Sequence, residues 1–291
     1  MLVTLAIVYL GILFYKKNMT IKFEGFTQTE KFILKRDNEK YDEFYVQVYD
    51  KLMKPYSAVD TNLQQIIQMT EPTKSFSVFV NIGSKTGHLT NAIKNEGYII
   101  YGIDNSKEMI AYSKGLYPNL PVKCGDPVDP MAFEHGIISH VLCIDFEIYR
   151  FKNKNLFFQN CYYWLKPGGY LILHLVDREK YDPITPSCKS AIVDDPQQYS
   201  DERITNSYID FIDFTYKNEV DFSSPDVVLL KETFTDTQSG HIRQNEETLY
   251  MEPLSIIVEK AKKYGFIPKG QSILKSATDE YQYLYILERM L

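Results

Sequence analysis

Residues 77–93 read SVFVNIGSKTGHLTNAI, and residues 98–110 read YIIYGIDNSKEMI. In the first stretch a short run rich in Val and Phe ends in a glycine turn. The apolar positions beyond it, Leu89, Ala92 and Ile93, fall at helical spacing, and Gly97 supplies a stop. The second stretch is another apolar run, ending in the acid Asp104. A strand that ends in a glycine turn at a helix N-terminus brings backbone N–H groups close to a ligand. An acid at the tip of the neighbouring strand is placed to accept both hydroxyls of a ribose. Strand, turn, helix and strand in this order predict a nucleoside-binding unit.

Further along, apolar runs lie around Val122, over residues 137–144 and over 170–176, the last launched by Lys166-Pro167-Gly168-Gly169. A helical pattern with Leu156, Phe157, Asn160 and Trp164 on one face separates the last two. Alternating strands and helices predict an α/β domain with a doubly wound parallel sheet. Upstream, Tyr41, Phe44, Tyr45, Val48, Tyr49 and Leu52 recur at three- and four-residue spacing. They predict an amphipathic helix capped by Asp37 or Asn38 and ended by Pro55. A second short helix follows Asp60, and Asn105 with Glu108 reads as the cap of the helix after Asp104. Residues 178–203 carry several prolines and charges and read as an exposed excursion. Residues 227–235 and 242–251 flank a Thr-Gln-Ser-Gly turn and predict a hairpin. A helix opened by Pro253 and a strand over 281–288 complete the chain. The expected organisation is a linker over 18–36 and one domain over 37–291. Within that domain, 37–72 form a helical cap and 177–251 an insert with the hairpin.

Residues 1–15, MLVTLAIVYLGILFY, carry no charge and are followed by Lys16 and Lys17. As a helix this stretch is roughly 22 Å long, short of the ~30 Å hydrocarbon core, so it is a marginal span. A secretory signal wants positive charge before the apolar core and a small-residue cleavage site after it, and neither is present. Residues 1–17 are therefore expected to form a hydrophobic membrane-anchor helix. The flanking lysines favour a main domain on the cytoplasmic side. The alternative is that this helix packs on a partner protein in a larger assembly.

Five segments then occur in a telling order: NIGSKTG (81–87), GIDNSKEMI (102–110), CGDP (124–127), SHVLCIDF (139–146) and LKPGGYLIL (165–173). With them the chain, from about residue 41 onward, resembles the class I S-adenosylmethionine-dependent methyltransferases. The resemblance implies a mostly parallel, seven-stranded Rossmann-like sheet with an antiparallel edge, and S-adenosylmethionine as cofactor. It implies that Asn81, Gly83, Ser84, Lys85 and Gly87 form the turn under the methionine part of the cofactor. Asp104, with Asn105, would bind the ribose, and Asp126, with Pro127, the adenine amino group. Ile144 would border cofactor and acceptor, and the helix carrying Tyr45 and Tyr49 would fold over the cofactor. Read from the residues alone, Tyr45 and Tyr49 form a core-packing stripe rather than a lid, His174 is a core histidine, and Asp145 is a strand-end acid able to assist proton removal.

The turn departs from the family pattern, acidic-x-Gly-x-Gly-x-Gly, at two places. Asn81 stands for the acid and Lys85 for the central glycine. Asn81 weakens a contact to the cofactor's ammonium group. Lys85 puts a side chain and a positive charge where backbone approaches the ligand. It coexists with cofactor if its side chain leaves the pocket clear, and otherwise occludes the site.

Composition narrows the function. A net charge of −6 argues against broad nucleic-acid affinity. The four cysteines form no CxxC pair and the five histidines show no ligand spacing, so no metal site is expected. A nicotinamide-binding G-x-G-x-x-G is absent. Two expectations remain. One is a membrane-anchored methyltransferase acting on a small molecule or a protein. The other is a catalytically inactive scaffold of the same fold, tethered to a membrane or a large assembly.

Overall fold

The computed structural model describes residues 29–189, 196–275, 277 and 280–290. The apolar segment 1–17 lies outside them. Among the described residues no helix is long and apolar enough to cross a membrane.

The described residues build two sheets. The larger takes strands β2 (Val78–Ile82), β3 (Ile99–Asp104), β4 (Val122–Cys124), β5 (Ile138–Cys143), β6 (Leu165–Val176), β11 (Phe266–Ile273) and β12 (Gln282–Arg289). Their spatial order is β11-β12-β6-β5-β2-β3-β4, which puts β5 at the centre with β2 beside it. Strands β2 to β6 pair parallel, and β12 pairs antiparallel with both β6 and β11. Side-chain alternation explains the burial on both faces. Val80, Ile82, Val141, Cys143, Leu171 and Leu173 enter one core with Phe157, Phe158 and Trp164 of α5 (Lys154–Trp164) and Ile257 of α6 (Leu254–Lys263). Phe79, Leu142, Ile172, Leu284 and Ile286 point the other way. They meet Leu63 and Ile66 of α2 (Val59–Thr70) and Leu89 and Ile93 of α3 (His88–Asn95).

The second sheet has the order β1-β10-β9-β8-β7, from Phe32–Arg36, Ile242–Tyr250, Val227–Asp236, Phe214–Asp221 and Asn206–Asp210. Only β1 with β10 is parallel. Its inner face packs Phe214, Tyr216 and Phe234 against Tyr45, Val48 and Leu52 of α1 (Glu43–Met53).

Several expectations are corrected here. Residues 32–36, expected as linker, form an edge strand. The 227–251 hairpin forms as expected but belongs to the second sheet. The last strand is antiparallel yet interior, and the edge is β11. Helix α1 is capped by Asp42, whose Oδ1 accepts from Tyr45 N at 3.2 Å, because residues 37–40 make a 3-10 turn first. Helix α4 (Lys107–Leu116) is capped by Ser106, whose Oγ accepts from Met109 N at 3.0 Å, so the cap falls one residue after Asn105.

Candidate functional site

The turn between β2 and α3 is fastened from below. Gly83 N and Ser84 N both donate to Ile103 O, at 2.9 and 3.0 Å, which locks the turn to the tip of β3. The chain reverses through three left-handed residues, Gly83 (φ +68°), Lys85 (φ +49°) and Gly87 (φ +83°). At Gly83 glycine is required twice over. A Cβ there would overlap the Glu147 carboxyl group and stand 2.7 Å from Glu147 Cγ. Helix α1 is pinned onto the turn by Asp50, which accepts from Thr86 Oγ1 at 2.7 Å and meets His88 Nε2 at 2.8 Å.

Asp104 lies beneath this turn and is buried. Its Oδ2 accepts from Lys85 N and its Oδ1 from Ser106 N, both at 2.9 Å. Burial, reinforced by Glu147, nonetheless pushes its pKa above the ordinary aspartate value. The Lys85 side chain runs from the turn to the end of β5, where Nζ donates to Asp145 O at 2.9 Å. Asp145 (φ +53°) and Phe146 (φ +64°) are also left-handed. Three non-glycine residues in this conformation thus meet at one place, an arrangement that stores strain and recurs at functional sites. Asn81, in the strand below, gives its amide to Thr90 Oγ1 at 3.1 Å, and its Oδ1 has no hydrogen-bond partner among the described residues.

The facing wall comes from the second sheet. Asn218, Glu232 and Asn245 stand opposite one another on β8, β9 and β10 and form a buried polar stripe across an otherwise apolar face. Glu232 accepts from Tyr45 OH at 2.8 Å and Tyr216 OH at 3.0 Å, and pairs with Lys40 at 3.4 Å. Glu247 pairs with Lys40 and with Arg150, both at 2.5 Å, and Arg150 also holds Glu147 at 2.6 Å. Burial opposes the Glu247 charge, but Arg150 and Lys40 outweigh it and hold the carboxyl well below the usual range. This ion network joins the tip of β5 to β10. Sequence reasoning missed all of it. The one available signal was Glu232 and Glu247 at inward-facing positions of the hairpin.

Between turn and stripe lies a cavity of about 510 Å³, within the range of small-molecule sites. Asn81, Gly83, Ser84, Lys85, Gly87, Ile144, Tyr45 and Tyr49 all line it. Asp104, Asn105, Asp126 and Pro127 are not on its walls. Asp104 touches it through the Lys85 backbone. Asn105 is exposed, and Asp126 is exposed on the turn after β4, where its Oδ1 accepts from Val128 N at 2.9 Å. His174 is buried, meets Gln282 Oε1 at 3.1 Å, and also borders the cavity.

The walls fit a ligand with an α-amino-acid end. Asn81 Oδ1 and the Asp145 carbonyl are acceptors for an ammonium group, and Lys85 supplies a cation for a carboxylate. Asp104 keeps lone pairs for hydroxyl donors.

Residues 80–173 match a family model described as a methyltransferase domain. No curated protein matches the chain. Among solved structures, an S-adenosylmethionine-dependent methyltransferase from Clostridium acetobutylicum is 14% identical, with a TM-score of 0.61 over 85% of this chain and 98% of its own. An amino pentose methyltransferase from Micromonospora echinaspora, solved with S-adenosylmethionine bound, is 13% identical, with a TM-score of 0.59 over 86% and 98%. A sugar N-methyltransferase from Streptoalloteichus is 16% identical, with a TM-score of 0.60 over 85% and 93%. At these identities the structural likeness shows the class I methyltransferase fold.

Proposed function

We propose that this chain, whose residues 80–173 form a methyltransferase domain on the class I fold, is an S-adenosylmethionine-dependent methyltransferase acting on a small polar molecule. The observation that carries this is the cavity itself, which joins the glycine turn to the polar stripe of the second sheet. When bound, the cofactor supplies an electrophilic methyl group. The protein's part is positioning and exclusion of water. The turn from Gly83 to Gly87 and Asn81 would hold the amino-acid end and Asp104, beneath the turn, the ribose, while Asp126, exposed and off the cavity walls, is given no role in it. Tyr45 and Tyr49 on α1 close the site from above. Tyr216, Asn218 and Glu232 offer hydroxyl, amide and carboxylate groups to an acceptor, as a sugar or another hydroxylated amine requires. Two structural neighbours are named as sugar methyltransferases, and the polar wall suits the same class. A neutral amine acceptor can attack without a catalytic base and release its proton to solvent afterwards, so a base is optional for such an acceptor and none is assigned. This function is tested by whether the full-length protein takes up S-adenosylhomocysteine at the turn.

A second reading, a scaffold without turnover, has one observation in its favour. The Lys85 chain crosses the groove and the Glu147 carboxyl group occupies the cradle over Gly83. Failure of the protein to bind cofactor at millimolar concentration would select it.

Residues 1–17 are proposed to anchor the chain in a membrane, with the main domain on the cytoplasmic side, on the strength of their uncharged apolar run and flanking lysines. The full-length protein is expected to float with liposomes and a chain lacking residues 1–15 to stay in the aqueous fraction. Equal behaviour of the two would remove the anchor.

A further inference from the structure

Lys85 is only 7% exposed and its side chain lines the cavity. The Asp145 carbonyl is its ammonium's one acceptor, and it forms no ion pair among the described residues. Of the carboxylates that act on its charge, Asp145 is exposed and makes no ion pair with it, and the others are engaged elsewhere. Glu147 and Glu247 are held by Arg150, and both oxygens of Asp104 accept backbone N–H groups. A buried ammonium with a single neutral acceptor is costly, because the carboxylates around it only partly offset its desolvation and none of them touches it. Its backbone is also left-handed, a further cost that glycine would avoid. A residue kept at this double cost on the wall of a cavity calls for an anionic ligand. Beside it stand two neutral acceptors, Asn81 Oδ1, which has no partner, and the Asp145 carbonyl. One cation next to two neutral acceptors is the complement of a zwitterionic α-amino acid group.

We infer that Lys85 is the residue that receives the carboxylate of the cofactor's methionine end, with Asn81 Oδ1 and Asp145 O taking its ammonium. This rests on the cofactor assignment above and adds to it a binding residue at the position where the family pattern has glycine. Without ligand, Lys85 rests on Asp145 O. An incoming amino-acid group replaces that contact, its ammonium taking the carbonyl and its carboxylate drawing the lysine toward itself. Burial and the neighbouring Arg150 pull the Lys85 pKa below its ordinary value, and a bound carboxylate would raise it again. On this account Lys85 selects for the cofactor rather than obstructing it.

Calorimetric titration of the full-length protein tests this with two ligands, S-adenosylmethionine and its decarboxylated analogue, which keeps both cationic centres but lacks the carboxylate. The wild type is expected to bind S-adenosylmethionine at least about tenfold more tightly than the analogue, as a charge-assisted hydrogen bond is worth about 1.5–3 kcal/mol. Lys85→Met should close that gap while binding the dicationic analogue at least as tightly as the wild type does, which also shows that the variant is folded. Lys85→Gly should bind S-adenosylmethionine no better than Lys85→Met. Should neither variant fold, the wild-type ratio decides, since equal affinity for the two ligands overturns the assignment. Tighter binding of S-adenosylmethionine by either variant than by the wild type would identify Lys85 as an obstruction. Binding of neither ligand by any form would overturn the cofactor assignment itself, and the inference with it.

Discussion

Replacing Arg150 with Met is expected to lower the unfolding free energy by about 3–5 kcal/mol, the usual cost of removing one partner from a buried ion pair. Among the described residues Arg150 is the one cation that touches both Glu147 and Glu247, and Glu247 is 5% exposed. Without it Glu147 loses that partner and Glu247 keeps Lys40 and the Tyr41 hydroxyl. The loss separates the tip of β5 from β10, so it loosens the junction between the two sheets as well as a local contact. Urea unfolding curves for both proteins measure it. A second substitution, Glu247→Gln, should recover part of the loss, because it removes the charge left buried. The pH dependence has a definite sign. The Glu247 pKa is held below its unfolded value, so its stabilisation is fully present above the unfolded glutamate pKa and is lost as pH falls through the depressed folded value. In Arg150→Met that depression shrinks, and the acid-induced loss of stability should begin at higher pH. A cost under about 1 kcal/mol, the range of a surface pair, would show that the network contributes no more than solvated charges do.

Gly83→Ala is expected to cost about 2–4 kcal/mol. Roughly 1–2 kcal/mol comes from placing a Cβ in the left-handed region at φ +68°. The remainder comes from pushing aside the Glu147 carboxyl group, which lies where the Cβ would stand and is itself held by Arg150. The two causes separate in a double-mutant cycle. In a Glu147→Ala background only the torsional cost should remain. If Gly83→Ala costs the same with and without Glu147, the carboxyl group is not what requires glycine there.

These residues also mark where sequence reading stops. The strand-turn-helix unit and the parallel strands were legible because their signals are local, a short apolar run followed by Gly83 and Gly87 and then the acid Asp104. The second sheet was not. Its inner face carries Tyr216, Asn218, Glu232 and Asn245 where apolar alternation would have announced a strand, so only the hairpin with its tight turn stood out. Strand β11 is mostly exposed, is interrupted by a bulge between Pro268 and Gly270, and is held by pairing with β12. That leaves little in its composition to read. The caps shifted by a few residues because Asp42 and Ser106 compete with equally plausible neighbours. For the site, the glycine-turn half was readable as a contiguous motif. The acceptor half draws Lys40, Arg150, Glu232 and Glu247 from distant parts of the chain, and nothing in one dimension shows that they meet. Whether Lys85 faces the cavity was likewise a question of backbone torsion, answered only by the fold.

The central claim is that the cavity between the two sheets is an S-adenosylmethionine site, and a crystal structure of the full-length protein at saturating S-adenosylhomocysteine tests it most directly. The expected result is ligand over the turn from Gly83 to Gly87, with its ribose hydroxyls on Asp104 and its amino-acid end between Asn81, Asp145 O and a Lys85 ammonium drawn off that carbonyl. A turn without ligand at saturation, with Lys85 still bonded to Asp145 O and Glu147 still packed on Gly83, would contradict the claim and leave the fold as a scaffold.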